Sequence, residues 1–288
     1  MRASVALLEK INKLFPPVEH PFNLQNQGKQ TYAQWQFQWG EKTVACFTPR
    51  FTPQEIFSGK TVLDMGCGAS GKSLYYISIG AEQVVGVDVV EHYKKEAEDF
   101  AAQLGYQDKF RFLLGDALNL GLPENTFDVV IMNDFMEHIY DPKGALQEAL
   151  RVLKPGGRIY INFPPYYHPT GAHMSDVIGI PWVHLFFSEK TLIAAYKDLV
   201  RGLPDEQDRL ALRFSTDENG RETISYINKM TIRRFHRILK ELKLTPYWYR
   251  EIPLRSYLTP LAKLPVLKEM FVKMCACVIE KPAPETGR

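Results

Sequence analysis

A doubly wound α/β fold is what the sequence predicts, and three observations predict it. The stretch TVLDMGCGASG (61–71) reads as a short buried strand, Thr61-Val62-Leu63, running into a glycine turn (Gly66, Gly68, Gly71) that opens a helix. A strand ending in such a turn beneath a helix N-terminus places backbone N–H groups at the carboxyl edge of a sheet, where open α/β sheets bind their ligands. From residue 61 onward strand and helix patterns alternate, with strands at 61–64, 84–88, 110–114, 127–132 and 158–163 and helices at 71–79, 91–104 and 142–153. The strand runs are apolar or β-branched without polar alternation, as expected when both faces are covered. Together these imply a parallel sheet with right-handed crossovers.

Ahead of the first strand, residues 4–15 space Val5, Leu8, Ile11, Leu14 and Phe15 as an amphipathic helix stopped by Pro16-Pro17. A second cap helix is expected over 30–47, with Trp35 and Trp39 one turn apart and able to close over a ligand. Pro155-Gly156-Gly157 reads as a helix stop and turn before the fifth strand. After Phe163 the rhythm breaks. A loop bearing proline and histidine leads to a helix near 188–200, a hairpin around Asp217–Gly220 and a helix near 231–242. Strand-like runs return at 244–250 and 271–279, and the tail 281–288 is expected to be disordered. The domain reading is therefore N-terminal cap helices at 1–58, a ligand-binding core at 59–163, an α+β insertion at 164–243, final core strands at 244–280 and the tail.

Charge is unevenly spread. Residues 1–60 carry 7 basic against 4 acidic side chains, 61–200 carry 11 against 18, and 201–288 carry 17 against 11. Such ends favour an anionic or membrane-surface partner without demanding nucleic acid at a net charge of +2. The segment 252–272 mixes Leu, Pro and Lys in a way compatible with peripheral membrane contact, and Arg233, Arg237 and Lys240 share a face of the helix near 231–242. Four scattered cysteines do not make a disulfide framework; Cys275 and Cys277 share one strand face and read as reduced core residues. Glu9, Lys10 and Lys13 interrupt the N-terminal apolar stretch, so it does not read as a signal peptide, and a cytoplasmic location is the expectation.

The strand ends carry the chemistry. Asp64 lies two residues before Gly66, and Asp88 closes the second strand in VVGVDVV. A carboxylate there can accept from both ribose hydroxyls of a nucleoside held over the turn. Asp116-Ala117 follows the third strand, where a carboxylate can accept from an adenine amino group, and Asn133-Asp134 follows the fourth. The turn Gly66-Cys67-Gly68-Ala69-Ser70-Gly71 lacks the spacing of a dinucleotide fingerprint. Asp64 would also face negative charge beside a pyrophosphate, whereas it suits the positive end of a sulfonium amino acid.

VLDMGCGASGKS, VVGVDVV, FLLGDALNLGLPENTFDVVIMNDFMEHI and ALRVLKPGGRIYINF together resemble class I S-adenosylmethionine-dependent methyltransferases of the type 11, ubiquinone-biosynthesis-like group. The resemblance implies a Rossmann-like seven-stranded sheet whose last strand is antiparallel, with S-adenosyl-L-methionine as cofactor. Carried over by position, it implies Asp64, Gly66 and Gly68 at the methionine end, Asp88 at the ribose, Asp116 and Ala117 at the adenine, and Asn133 on the rim; Ser70, Val89, Asp134 and Trp35 are further expected cofactor contacts. Ser70 stands where the group often has glycine.

Such a cofactor brings an activated methyl group, so the protein must mainly place a nucleophile in line and in some cases remove a proton. His168, His173 and His184 in the insertion are the candidate general bases, and Pro164-Pro165-Tyr166-Tyr167 reads as the opening of a lid. The run Asp134-Phe-Met-Glu137-His138 offers an alternative metal set, Asp134, Glu137 and His138, although the same Glu-His occurs in the group without metal. Asn162-Phe163-Pro164-Pro165-Tyr166 mimics an amino-methylating motif of nucleic-acid enzymes but follows the wrong strand, and Phe163 intervenes. The expected function is methyl transfer to oxygen or carbon of a small-molecule or lipid-linked acceptor. RNA or protein methylation, and a non-catalytic cofactor-binding partner protein, are the alternatives; oligomeric state is left open.

Overall fold

The computed structural model describes residues 2–283, so residues 284–288 of the expected disordered tail lie outside the described residues. Contacts divide the chain into two compact units, one formed by residues 1–31, 164–232 and 253–273 and the other by 32–163, 233–252 and 274–288.

The second unit holds a seven-stranded sheet. Its strands are β1 (Thr61–Met65), β2 (Gln83–Asp88), β3 (Phe110–Leu114), β4 (Phe127–Asn133), β5 (Leu153–Phe163), β8 (Trp248–Pro253) and β9 (Val272–Glu280). They run in the order β3-β2-β1-β4-β5-β9-β8. β1 pairs in parallel with β2 and β4, β2 with β3, and β4 with β5, whereas β9 is antiparallel to β5. The expected doubly wound architecture with a late antiparallel strand is what forms. Strand order reverses between β1 and β4, and a crevice opens at the carboxyl ends of strands on either side of such a reversal.

Burial explains the strand sequences. Val62, Leu63, Val130, Ile159 and Ile161 are at most 1% exposed, as are Cys275 and Cys277, which remain free thiols within β9. The Phe57 and Tyr76 rings stack at 4.5 Å on one flank of the sheet. Two sequence expectations shift here. The fifth strand begins at Leu153 instead of 158, because Leu153 already pairs with Phe127 before a register irregularity hands the pairing to Arg158 and Val129. Pro155-Gly156-Gly157 is thus an excursion inside the strand, with Gly156 at φ 77°, and not a turn ahead of it. The single cap helix expected over 30–47 is two helices, Tyr32–Gln38 and Gly40–Val44. Gly40 lies so close to Tyr75 that a Cβ there would sit 2.2 Å from the ring.

The first unit is built differently. Arg2–Asn12 packs on Glu189–Val200, burying Val5 and Leu8 with Ile193, Tyr196 and Val200. Ser188 caps the second of these helices by accepting from the Thr191 amide. The expected hairpin is present as β6 (Phe214–Thr216) paired antiparallel with β7 (Glu222–Ile224). Helix Glu206–Arg213, which sequence patterning does not single out, carries two arginines into the interior. Asp176 Oδ2 accepts from Arg209 Nη1 at 3.0 Å and from Tyr196 Oη at 2.7 Å, while Oδ1 accepts from Arg213 Nη2 at 3.0 Å. Arg209 also donates to Asp205 at 2.8 Å and to Asn23 at 3.0 Å. Two guanidinium groups therefore balance two carboxylates, with Arg209, Arg213 and Asp176 at most 3% exposed at the side chain. Breaking one member of such a buried set strands the others without water or a partner.

Asp176→Ala is accordingly expected to destabilise the chain by about 3–5 kcal/mol, read from the shift of the denaturant midpoint. A loss below about 1 kcal/mol would mean that the two arginines find other partners.

Candidate functional site

The carboxyl edge of the main sheet gathers the residues that the sequence analysis singled out, and all of those at the strand ends lie in one unit. β1 is followed at once by Gly66 at φ 75° and Gly68 at φ 55°. Both amides at the mouth of the turn, of Gly66 and Cys67, donate to the Val87 carbonyl of β2 at 2.8 and 3.1 Å. A Cβ at Gly66 would lie 2.3 Å from the Phe135 ring, so only glycine fits this position. Ser70 also takes a left-handed conformation, φ 60° and ψ 15°, fully buried with its hydroxyl donating to Cys67 Sγ at 3.1 Å. The site where the related group often has glycine is thus a left-handed position, and here serine tolerates it with a local hydrogen bond.

Asp88 stands at the end of β2 with both carboxylate oxygens engaged. Oδ2 accepts from the Gly68 amide at 2.8 Å and Oδ1 from the Val90 amide at 3.0 Å. Each oxygen retains a second lone pair. Burial raises this carboxyl above its ordinary range, opposed by the bonds from Gly68 and Val90. Val89, the next residue, presents its side chain 70% exposed, an apolar surface for a ring to lie on. Asp116, after β3, is exposed and accepts from the Leu118 amide at 2.9 Å, which fixes the orientation of its carboxylate; Ala117 beside it is buried.

Asp64 differs from these. It is 3% exposed, and its Oδ2 accepts from Ser73 Oγ at 2.6 Å. Burial pushes its pKa up to about 6, against the pull of the Ser73 hydrogen bond and the Lys72 charge. It is a buried negative charge below the turn and not an open acceptor on the rim.

On the β4 side, Asn133 Oδ1 accepts from Asn162 Nδ2 at 2.6 Å, and Asn133 Nδ2 donates to Asp134 at 3.0 Å. The Asp134 amide donates to Asn162 Oδ1 at 3.0 Å, holding Asp134 at φ 48° with its carboxylate 3.3 Å from Lys72 Nζ. Asn162, first residue of the misleading Asn-Phe-Pro-Pro-Tyr run, therefore serves to pin the β4 rim. Of the alternative metal set, Asp134 is engaged by that lysine. Glu137 is 2% exposed and 3.9 Å from His138 Nε2. Burial, reinforced by the Asp134 charge, pushes its carboxyl well above its ordinary range.

Gln36 is the residue that sequence reasoning missed. From helix Tyr32–Gln38 its Nε2 donates to the Cys67 carbonyl at 3.2 Å, and its Oε1 accepts from the Gly71 amide at 3.1 Å. One 4%-exposed side chain thus ties both ends of the turn. A Cβ on Gly71 would meet the Ala33 carbonyl at 1.9 Å, so the helix and the turn are in backbone contact. Glu96 secures the same helix by accepting from the Ala33 amide at 2.6 Å. The only sequence hint was a glutamine amid aromatics at helical spacing. Trp35 stacks on Trp39 at 5.4 Å, and its buried Nε1 has no hydrogen-bond partner among the described residues.

The three candidate bases belong to the other unit. Burial lowers His168 to about 4, helped by the Lys273 charge, and lowers His184 to about 4 against the Tyr166 ring at 4.8 Å. Both are neutral imidazoles of weak basicity. His173 sits at φ 52°, its carbonyl accepting from Arg213 Nε at 3.3 Å and its ring 6.1 Å from Tyr226.

A methyltransferase-domain family model of type 11 matches residues 63–161. The chain is 33% identical over 130 residues to the sterol 24-C-methyltransferase of Pneumocystis carinii, covering 43% of this chain and 34% of that one. It is 32% identical over 150 residues to the demethylmenaquinone methyltransferase of Symbiobacterium thermophilum, covering 51% and 56%. The aligned part thus spans from a third to just over half of these relatives. Among solved structures, a geranyl diphosphate methyltransferase in complex with SAM shares the fold with a TM-score of 0.52 at 14% identity, covering 85% of each chain.

Replacing Gln36 by Ala is expected to cost about 1–3 kcal/mol, because a buried amide and a buried carbonyl lose their partners. Amide exchange at Gly71 should quicken in step. Unchanged protection there would show that the turn holds without the clamp.

Proposed function

Since residues 63–161 are a class I methyltransferase domain of the type 11 group, we propose that the chain transfers a methyl group from S-adenosyl-L-methionine to oxygen or carbon of a small-molecule or lipid-linked acceptor. The observation that carries the reading is the Asp88 carboxylate, oriented by Gly68 and Val90 with one lone pair free on each oxygen.

The residues present fit that cofactor. Asp88 accepts from the two ribose hydroxyls, and Val89 and Ala117 offer apolar surface to the adenine while Asp116 accepts from its amino group. Gly66, Gly68 and Ser70 keep side chains out of the way so that the methionine portion approaches the backbone. Asp64 supplies buried negative charge toward the cationic end, Asn133 and Asp134 close the β4 side of the rim, and Trp35 offers its unpartnered Nε1. When bound, the cofactor supplies a methyl group already activated on a sulfonium. The chain's own task is then to orient the acceptor and exclude water.

The sterol and demethylmenaquinone enzymes that this chain resembles act, by name, on lipid-like acceptors, which favours an apolar acceptor here. Acceptor recognition is assigned to residues 1–31 and the 164–243 region, which fall outside the matched domain. Where the acceptor needs a proton removed, His173 is the candidate base, since burial has weakened His168 and His184.

Calorimetry with purified chain tests the cofactor site. Asp88→Ala should weaken S-adenosylmethionine binding about 100-fold, the loss of two hydrogen bonds to a charged group; unchanged affinity would sink the assignment. The pH dependence is a separate test. Asp64 is ionised above about 6 and neutral below it, and a cationic ligand favours the ionised form. Affinity should therefore fall as pH drops from 7 to 5, and this fall should be flattened in Asp64→Asn. Identical pH profiles for the two proteins would remove Asp64 from the site.

A further inference from the structure

Between β8 and β9 the chain makes an ordered excursion that no feature of the cofactor rim uses. Its base is closed by the Leu254 amide donating to the Phe271 carbonyl at 2.8 Å, and by Glu269 accepting from the Ile232 amide at 3.2 Å. Within it a 3-10 turn, Ser256–Leu258, leads directly into helix Thr259–Lys263, and helix Lys268–Phe271 packs back on that helix. The apex between the helices is locked by Leu267 and Lys268 amides donating to the Leu264 carbonyl at 3.0 and 2.7 Å. Backbone hydrogen bonds at its base and apex therefore shape this element.

Its exposed face is partly apolar. Tyr257 is 77% exposed, Leu264 48% and Val266 89%. Pro260 and Pro265 are exposed beside them. Basic residues bracket these groups. Residues 253–273 contain Arg255, Lys263, Lys268 and Lys273 against the single acid Glu269, and that acid is turned to the Ile232 amide at the base. The excursion therefore presents exposed apolar side chains and an aromatic hydroxyl on a segment of net positive charge.

We propose that this excursion is a docking surface for an anionic phospholipid bilayer. Leu264 and Val266 enter the headgroup–acyl boundary, Tyr257 sits at the headgroup level with its ring in and its hydroxyl out, and Arg255 and Lys263 meet the lipid phosphates and carboxylates. A protein partner fits less well. Three exposed apolar side chains on two short helices fall far short of the roughly 800 Å² per partner that a stable protein interface buries. A bilayer needs no such area, because apolar insertion and counter-charge act together on a small contact. The absence of any described helix long and apolar enough to cross a membrane is compatible with attachment of this peripheral kind. The inference rests on no assignment of acceptor or cofactor.

Flotation of the full chain with vesicles tests it. Binding is expected to vesicles of phosphatidylcholine with 30 mol% phosphatidylserine, to be about tenfold or more weaker on phosphatidylcholine alone, and to fall with added salt. Val266→Glu and the pair Arg255→Glu/Lys263→Glu lie on the exposed face, so thermal unfolding should match the parent while vesicle binding drops about tenfold. Equal recovery with and without anionic vesicles would overturn the proposal. So would binding that survives both variants, which would locate the contact elsewhere. Self-association abolished by Val266→Glu, with no flotation, would overturn it in favour of a second copy of the chain.

Discussion

The carboxyl edge of the main sheet depends on how the turn at 66–71 is held. Three of its residues, Gly66, Gly68 and Ser70, take left-handed conformations; glycine adopts this state freely, whereas Ser70 keeps it only where its surroundings hold it there. The turn is fixed from three directions. The Val87 carbonyl accepts from its first two amides, Asp88 accepts from its second glycine, and Gln36 bridges Cys67 to Gly71. Each of these bonds also orients something else: Asp88 is aimed by the amide that it anchors, and helix Tyr32–Gln38 is docked by the side chain that clamps the turn.

This economy separates the acids of the site by environment. Asp88 and Asp116 keep lone pairs free while their orientation is set by main-chain amides. Asp64 is sealed against Ser73 and has its pKa pushed up to about 6 by burial. Burial and the Asp134 charge raise Glu137 well above its ordinary range. Residues of the same charge type, all near strand ends, therefore divide into open hydrogen-bond acceptors and sealed carboxyls whose protonated form is favoured. Desolvation makes that division, through the differing numbers of donors that reach each carboxyl.

The unit holding residues 164–232 relies on another kind of constraint. Its core is apolar around Tyr196 and Ile193, yet it also encloses Asp176 with Arg209 and Arg213. Hydrophobic residues of suitable size pack in more than one arrangement, whereas two guanidinium groups sharing one carboxylate fix a single register between helix Glu206–Arg213 and the loop around Asp176. The packing between the elements of this region, which sequence periodicity alone does not set, is thereby defined.

The sequence by itself determined the parallel sheet, the glycine turn and the acids at 64, 88 and 116, because each depends on local pattern: an apolar run of strand length, a residue without Cβ, a carboxylate one step beyond a strand. Most core helix and strand positions followed for the same reason; the exceptions include the helix expected over 30–47, which forms as two, the run at 244–250, which forms as Trp248–Pro253, and β5, where pairing of Leu153 across to Phe127 extends the strand past a Pro-Gly-Gly excursion. The tertiary structure alone decided which acid is open and which is sealed, that Asn162 braces Asn133 and Asp134, and that Gln36 clamps the turn. It also decided that the break at Trp39-Gly40 lets a helix come into contact with Tyr75. The Asn162 and Gln36 contacts join residues 28 to 35 apart in the chain, and those of the arginines on Asp176 join residues 33 and 37 apart. A side chain's hydrogen-bond partner and its exposure to water exist only once the chain has brought distant segments together, and no local pattern records them.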